Sequence, residues 1–471
     1  MKKVNNLTEG SIWKSLIALS VPIIFANILQ TAYQLTDTFW VGRLGTVAVA
    51  AVSISFPVIF LIISLGGGLA MAGTILVAQY KGKNDTKATN HIASQTLLMT
   101  VIISIILAAI GYLLSPHLVN LMGVEQGVFS SAVSYMKISF IGMIFMFTYM
   151  VFQSLARGVG DVKTPMYIVL GTVLLNLILD PLFIFGYGFV PAFGVTGAAI
   201  ATIGTQGLAA TIGMILLLKG KHQLQLHIRD LKPDFPLIKK MFWLGFPASV
   251  EQSTRALGMT VMTFLVATFG TLTIAAYGIG IRILSFIIIP ALGLSMATST
   301  LVGQNIGAGK TQRAEKIVKL SSMAGFIVLT IVGIIIFLFA KQISGWFIPG
   351  EIETIRASAL FIKIISLTFG FIGIQQVLNG AFRGSGNTMV SMILAIVSLW
   401  VLRFPLAYIL SQHTALAEIG LWIAFSVANI IATIITIVWF AKGTWKQKKI
   451  TEEIKLTREI TKETIIEEGM N

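Results

Sequence analysis

The sequence predicts an all-α integral membrane protein with twelve transmembrane helices in two six-helix lobes related by a pseudo-two-fold axis. Three observations carry that reading: the composition, the recurrence of long apolar runs, and an internal repeat. Of 471 residues, 55% are hydrophobic and only 11% are charged, with a mean hydropathy of +0.87. A soluble globular chain carries about a quarter charged residues. Apolar runs long enough to cross a hydrocarbon core about 30 Å thick fall at 13–40, 48–79, 89–115, 131–155, 164–187, 194–218, 237–268, 272–304, 315–340, 356–380, 388–411 and 418–441.

The first run is read as a retained helix and not a cleaved signal, because it is too long and carries Asn27, Gln30, Gln34 and Asp37. Orientation follows from the basic residues. Of 34 Lys and Arg, 26 lie at the N-terminus, in the connectors 80–88, 156–163, 219–240 and 310–319, at Arg383, and in the tail beyond 441. The positive-inside rule then puts both termini in the cytoplasm of a cell membrane, which requires an even number of spans. The net charge of +15 is therefore a topology signal and not a nucleic-acid footprint.

Sliding the chain against itself reveals the repeat. At an offset of 225, Pro22 falls on Pro247, Gly45 on Gly270, Gly68 on Gly293, Gln79 on Gln304 and Gly82 on Gly307. At an offset of 226, Arg157-Gly158 falls on Arg383-Gly384, Gly160 on Gly386 and Met166 on Met392. The expected organisation is an N-terminal lobe over 1–218, a cytoplasmic linker over 219–240, a C-terminal lobe over 241–441 and a cytoplasmic tail over 442–471. Because six is even, the halves enter the membrane the same way round, an arrangement suited to alternating access.

The chemistry of soluble enzymes is excluded piece by piece. There are no cysteines, the five histidines are scattered, and Gly303 to Thr311 resembles a phosphate-binding loop except that Gln304 stands where that motif needs Gly. No catalytic residue, cofactor or nucleic-acid partner is expected. Acids near a bilayer centre are functional candidates by default, and only Asp37, Asp180 and Glu251 qualify. Asn27, Gln30, Gln34 and Asp37 are spaced three, four and three apart, one face of a helix that cannot look at lipid. Interhelical hydrogen bonding is the plainer use of such a stripe. On the fifth helix Asn176 and Asp180 are i and i+4, and Pro181 leaves the carbonyl of Leu177 without a helical donor. This gathers oxygen acceptors that suit Na⁺ at Asp37, Asn176 and Asp180; a buried carboxyl suits a proton equally, since low dielectric favours its neutral form.

The second half does not repeat these acids: Gln252, Arg255, Met259 and Met262 stand opposite Asn27, Gln30, Gln34 and Asp37. Ion coupling is expected in the first half. Glu251 and Arg255, at i and i+4, suggest a structural ion pair, and the two methionines suit either an adaptable binding wall or ordinary core.

Four motifs in order resemble the multidrug and toxic compound extrusion (MATE) family: PIIFANILQTAYQLTDTFWVG from Pro22, RGVGDVKTPM from Arg157, GVTGAAIAT from Gly194 and VGQNIGAGKTQRA from Val302. The resemblance covers about residues 8 to 441. It implies a V-shaped pair of lobes acting as a monomer, exporting cationic amphipathic compounds in exchange for Na⁺ or H⁺. It also implies a first-lobe cation site at Asp37, Asn176, Asp180 and Thr202 and a bend at Pro22; the substrate cavity is expected at Asn27, Gln30, Gln34, Gln252, Arg255, Met259, Met262, Gln375 and Asn379, the tenth helix departing from family branches that carry an acid there. A lipid-linked oligosaccharide flippase of the same superfamily is the alternative; it would call for more basic residues than Arg255, Arg282 and Arg403.

Overall fold

The computed structural model describes residues 7–220, 224–446 and 450–451. Most of the tail, three linker residues, and Lys2 and Lys3 lie outside the described residues. Six helices make the first half: α1 (Ile12–Gly42), α2 (Thr46–Gly82), α3 (Thr86–Leu121), α4 (Gln126–Val159), α5 (Lys163–Phe185) and α6 (Val195–Leu218). The second half holds α7 (Phe235–Ala267), α8 (Thr271–Gly307), α9 (Thr311–Phe347), α10 (Ile352–Ser366), α11 (Phe369–Gly384), α12 (Thr388–Ile396), α13 (Phe404–Gln412) and α14 (Glu418–Ala441).

Each of the twelve expected runs lies on helix. Among the described residues, ten helices are long and apolar enough to cross a membrane, and the bent pair α10 and α11 makes an eleventh. The twelfth is α7, whose apolar character is diluted by Lys239, Lys240, Glu251, Gln252 and Arg255. Several helices reach 36 or 37 residues, about 55 Å at the helical rise, so they project beyond the hydrocarbon core.

Two spans are not continuous regular α-helix. The run expected at 356–380 is broken between α10 and α11 with a 54° bend. Ser366 and Thr368 hydroxyls donate to the carbonyls of Lys363 and Ile365 at 2.8 and 2.9 Å, supplying the last turn of α10 with side-chain donors where the helix stops. The run at 388–411 widens into a π-helical turn over Val397–Arg403. Pro405 follows and has no N–H to give, so the turn ahead of it loses its regular partner.

The chain forms two compact units. Among the described residues, the first comprises those within 25–249 together with 450–451, and the second those within 7–24 and 250–446. The divisions fall two residues after Pro22 and two after Pro247, at the same position of the repeat. In the first unit α4 packs against α2, α3 and α6. Small residues allow close helix approach where lipid offers no hydrophobic drive: Gly111 meets Phe140, Gly142 meets Ile203 and Gly213 meets Phe152. Gly68 lies against the backbone of Gly245 and Ser249, near the start of α7. In the second unit α11 packs against α8, α9 and α14, and Gly293, the repeat mate of Gly68, lies against Ile24 of α1. Residues 24 and 249 are themselves repeat mates, so one glycine contact is built twice.

The connectors are tied down by polar side chains. Gln95 of α3 donates to the carbonyls of Asp230 and Lys232 at 2.6 Å and accepts from the Asp234 N–H at 3.1 Å, docking the linker. The phosphate-loop look-alike is the last turn of α8 and the short connection to α9, with Gly309 at φ +72°, which a side chain would strain. Lys310 donates to the Thr8 carbonyl at 3.1 Å and Arg313 to the Glu9 carbonyl at 2.9 Å, so the motif anchors the segment before α1.

Candidate functional site

The polar stripe of α1 is present on a continuous helix that contains Pro22. Gln34 is exposed, Gln30 is half-buried, and Asn27 keeps a buried amide nitrogen without an acceptor among the described residues. Polar groups in a span do not face hydrocarbon, so this stripe meets either protein or water. Asp37 and Tyr33 stand one turn apart on the same face.

Two of the expected first-unit residues are in contact. Asn176 and Asp180 are fully buried on α5, and the Asn176 amide donates to Asp180 Oδ1 at 2.8 Å. Asp180 Oδ2, Asn176 Oδ1 and Asp37 Oδ1 are buried with no donor among the described residues. Asp37 acts electrostatically on Asp180. No basic side chain pairs with either acid among the described residues. The site therefore holds carboxyl and amide oxygens without donors, an arrangement that is costly unless a proton or another positive group joins it.

Three residues beyond the sequence reading, Tyr33, Tyr135 and Thr205, lie near the expected Thr202 or the acids. The Tyr33 hydroxyl and Thr205 Oγ1 are 2.8 Å apart, both buried. Thr202 lies one turn before Thr205 on α6, and its carbonyl accepts from the Thr205 hydroxyl at 2.9 Å. Tyr135 of α4 senses the charges of Asp37 and Asp180. Tyrosines and threonines at these places carry no charge signal, and only the i, i+4 spacing of Tyr33 to Asp37 could have pointed to one of them.

The second-unit residues form a different environment. Glu251 is buried, with Oε1 3.0 Å from an Arg255 nitrogen and 3.8 Å from an Arg383 nitrogen. The expected ion pair is present and extends to Arg383, which sequence reading left in a cytoplasmic connector. Arg383 also donates to Ser295 Oγ at 2.9 Å and to the Asn379 carbonyl at 3.3 Å. Asn379 is buried, while Gln375 and Gln252 are half-buried. Met262 is 4% exposed and packs into the second-unit core with Leu265, Tyr277 and Phe425, whereas Met259 is 54% exposed. Arg403 donates to Asn429 Oδ1 at 2.8 Å.

The MatE family model matches residues 22–182 and again 247–409, the same two halves as the repeat. A probable multidrug resistance protein of Bacillus subtilis, YoeA, is 31% identical over 452 residues, which is 95% of this chain and 97% of that protein. A probable multidrug resistance protein of Thermotoga maritima, NorM, is 31% identical over 452 residues, 96% of each chain. A solved transporter of the MOP superfamily from Pyrococcus furiosus superposes with a TM-score of 0.87 at 26% identity, covering 94% of this chain and 98% of that one. Matched by the family model in both halves and aligned nearly end to end with its relatives, this chain belongs to the MatE family: it is a membrane transporter and not an enzyme.

Proposed function

We propose that the protein is a secondary active exporter that moves cationic amphipathic compounds out of the cell in exchange for Na⁺ or H⁺. It works as a monomer in the plasma membrane, with both termini in the cytoplasm and two lobes that alternate access. The carrying observation is the pair of acids in spans, Asp180 buried and Asp37 half-buried, each with a buried oxygen lacking a donor and no basic partner among the described residues. Asp37, Asn176 and Asp180, with Thr202 beside them, supply only oxygen ligands, which fit Na⁺ or a proton. The names of the Bacillus and Thermotoga relatives support drug export and disfavour the oligosaccharide flippase.

Coupling needs a ligand that prefers one facing over the other. Loading the acids with the ion removes their attraction for a cationic drug, so ion entry and drug release become alternatives at one cluster. The test is efflux of a cationic dye from proteoliposomes under an imposed Na⁺ or H⁺ gradient, with tags at residue 2 and after 445 checked for sidedness. Gradient-stimulated efflux with both tags inside is expected. Dye movement indifferent to both gradients would overturn the antiport reading.

A further inference from the structure

The connection between α5 and α6 is a short aromatic hairpin with no charged side chain. No charged residue stands anywhere between Asp180 and Lys219, yet Tyr187 and Phe189 are 82 and 98% exposed, and Phe185 and Phe193 on either side of them are exposed as well. The backbone beneath these rings is hydrogen-bonded. Tyr187 and Val190 exchange N–H to carbonyl bonds at 3.0 and 3.1 Å, and the Phe193 and Gly194 N–H groups return to the Phe183 and Ile184 carbonyls at the end of α5, each at 3.0 Å. Gly186, at φ +75°, turns the chain where a Cβ would fall 2.7 Å from the Ala192 nitrogen. A closed backbone thus presents the rings outward.

Water is a poor partner for that surface, and topology names a better one. Both α5 and α6 are long and apolar enough to cross the membrane, so the hairpin lies at a bilayer surface. Leu174, Ile178 and Phe185 are exposed at i, i+4 and i+11, one face of α5, roughly opposite the buried Asn176 and Asp180. Apolar side chains exposed on a span meet lipid, and the hairpin continues this stripe past the helix end. Aromatic rings at that level place their bodies at the acyl boundary and their polar edges among headgroups. Charge matches too. Trp40 lies against Phe185 with ring centroids 6.1 Å apart, and the Arg43 guanidinium is 5.6 Å from the Trp40 ring. Arg43 is exposed and has no carboxylate partner among the described residues, and its fork suits a phosphate.

We propose that the hairpin 186–194, with Arg43 beside it, is a phospholipid anchor: the rings of Tyr187 and Phe189 lie in the headgroup layer, and Arg43 meets a lipid phosphate. The hairpin is the covalent link between α5, which carries Asn176 and Asp180, and α6, which carries Thr202, so the anchor holds the ends of both helices at the bilayer surface. The inference does not depend on which solute or ion is carried.

The chain has no cysteine, so Ala192→Cys, at an exposed position of the hairpin, gives one site for an NBD fluorophore, and Lys232→Cys, exposed in the linker, gives a reference. Each full chain is reconstituted in phosphatidylcholine vesicles and quenched by iodide in the water or by lipid spin-labelled near its headgroup. The label at 192 is expected to be quenched by the lipid and shielded from iodide, and the label at 232 to show the reverse. Tyr187→Ser and Phe189→Ser together, in the chain labelled at 192, should lower the ratio of seated to unseated hairpin about tenfold. In this weakened variant, phosphatidylglycerol should raise the ratio about fivefold, the effect of one cation at an anionic surface, and Arg43→Gln should remove that gain. Equal iodide access at 192 and 232 would place the hairpin in water, and shielding from both quenchers would place protein over it; either result overturns the anchor. Lipid quenching unchanged by the two serines would overturn it as well, and a gain that survives Arg43→Gln would overturn the part given to Arg43.

Discussion

Across one turn of α5, the Asn176 amide donates to Asp180 Oδ1 at 2.8 Å, leaving Asp180 Oδ2 and Asn176 Oδ1 buried without a donor. Asn176 spends its hydrogens on the acid and keeps its own oxygen for another group. Asn176→Ala removes both a hydrogen bond to a charged group, worth about 1.5 to 3 kcal/mol, and one acceptor of the cluster. We expect gradient-driven dye efflux per folded protein to fall at least about tenfold, with unaltered membrane insertion. Efflux at wild-type levels would show that the amide does not serve the cluster.

Asp37→Asn and Asp180→Asn each mimic a permanently loaded carboxyl. A protein fixed in one charge state cannot use ion binding to shift between facings, so each should abolish gradient-driven efflux. Thermal unfolding in detergent should remain at or above the wild-type temperature, because each change removes the cost of ionising a carboxyl that has no basic partner among the described residues. Normal gradient-driven efflux by the double variant would remove these acids from coupling.

Tyr33 ties α1 to α6 through Thr205. Tyr33→Phe and Thr205→Val should each cost about 1 kcal/mol of stability. Because they break one bond, their effects should fall short of additivity in the double variant. Fully additive losses in thermal melts would mean that the two hydroxyls act independently.

Gly68 and Gly293 occupy the same place in the two repeats and face residues 249 and 24, which are also mates. Gly68→Leu and Gly293→Leu should therefore destabilise by similar amounts, about 1 to 3 kcal/mol from overpacking. A large loss at one position and none at the other would show that the repeat is not functionally symmetric at this contact.

The spans were legible because an apolar run of some twenty residues has little choice but to be a membrane helix. Asn176, Asp180 and Pro181 stood out because charge, spacing and a missing N–H coincide there. The break at Leu367-Thr368 did not, since neither Pro nor Gly marks it and its donors are two ordinary hydroxyls. Arg383 was assigned to a connector because it lies near a helix end; only the packing of α11 on α8 turns it toward Glu251. Tyr33, Tyr135 and Thr205 are neutral and could be recruited only once three other helices were in place. Met262 had two readings from sequence, with ordinary core the preferred one, and burial among Leu265 and Phe425 assigns it to core.

Glu251 holds two guanidinium groups and has one buried oxygen, Oε2, without a donor among the described residues. Breaking a buried ion pair by removing one partner costs about 3 to 5 kcal/mol, because the other charge is stranded. Two features lower the figure for Glu251→Gln. Arg255 is about a third exposed and can reach water, and Arg383, at 13% side-chain exposure, retains Ser295 and the Asn379 carbonyl. A loss near the bottom of that range, about 3 kcal/mol, is expected. Arg255→Gln should cost less, since Glu251 then still has Arg383. The double variant Glu251→Gln, Arg255→Gln should lie between the two, with one stranded cation removed and Arg383 still unpaired. Melting curves in detergent give the order directly. Gradient coupling, normalised to folded protein, should suffer less in Glu251→Gln than in Asp37→Asn or Asp180→Asn, because the first-unit cluster is intact. If Glu251→Gln abolished coupling while melting like the wild type, Glu251 would be a working acid of the transport cycle and its pairing with Arg255 and Arg383 a secondary matter.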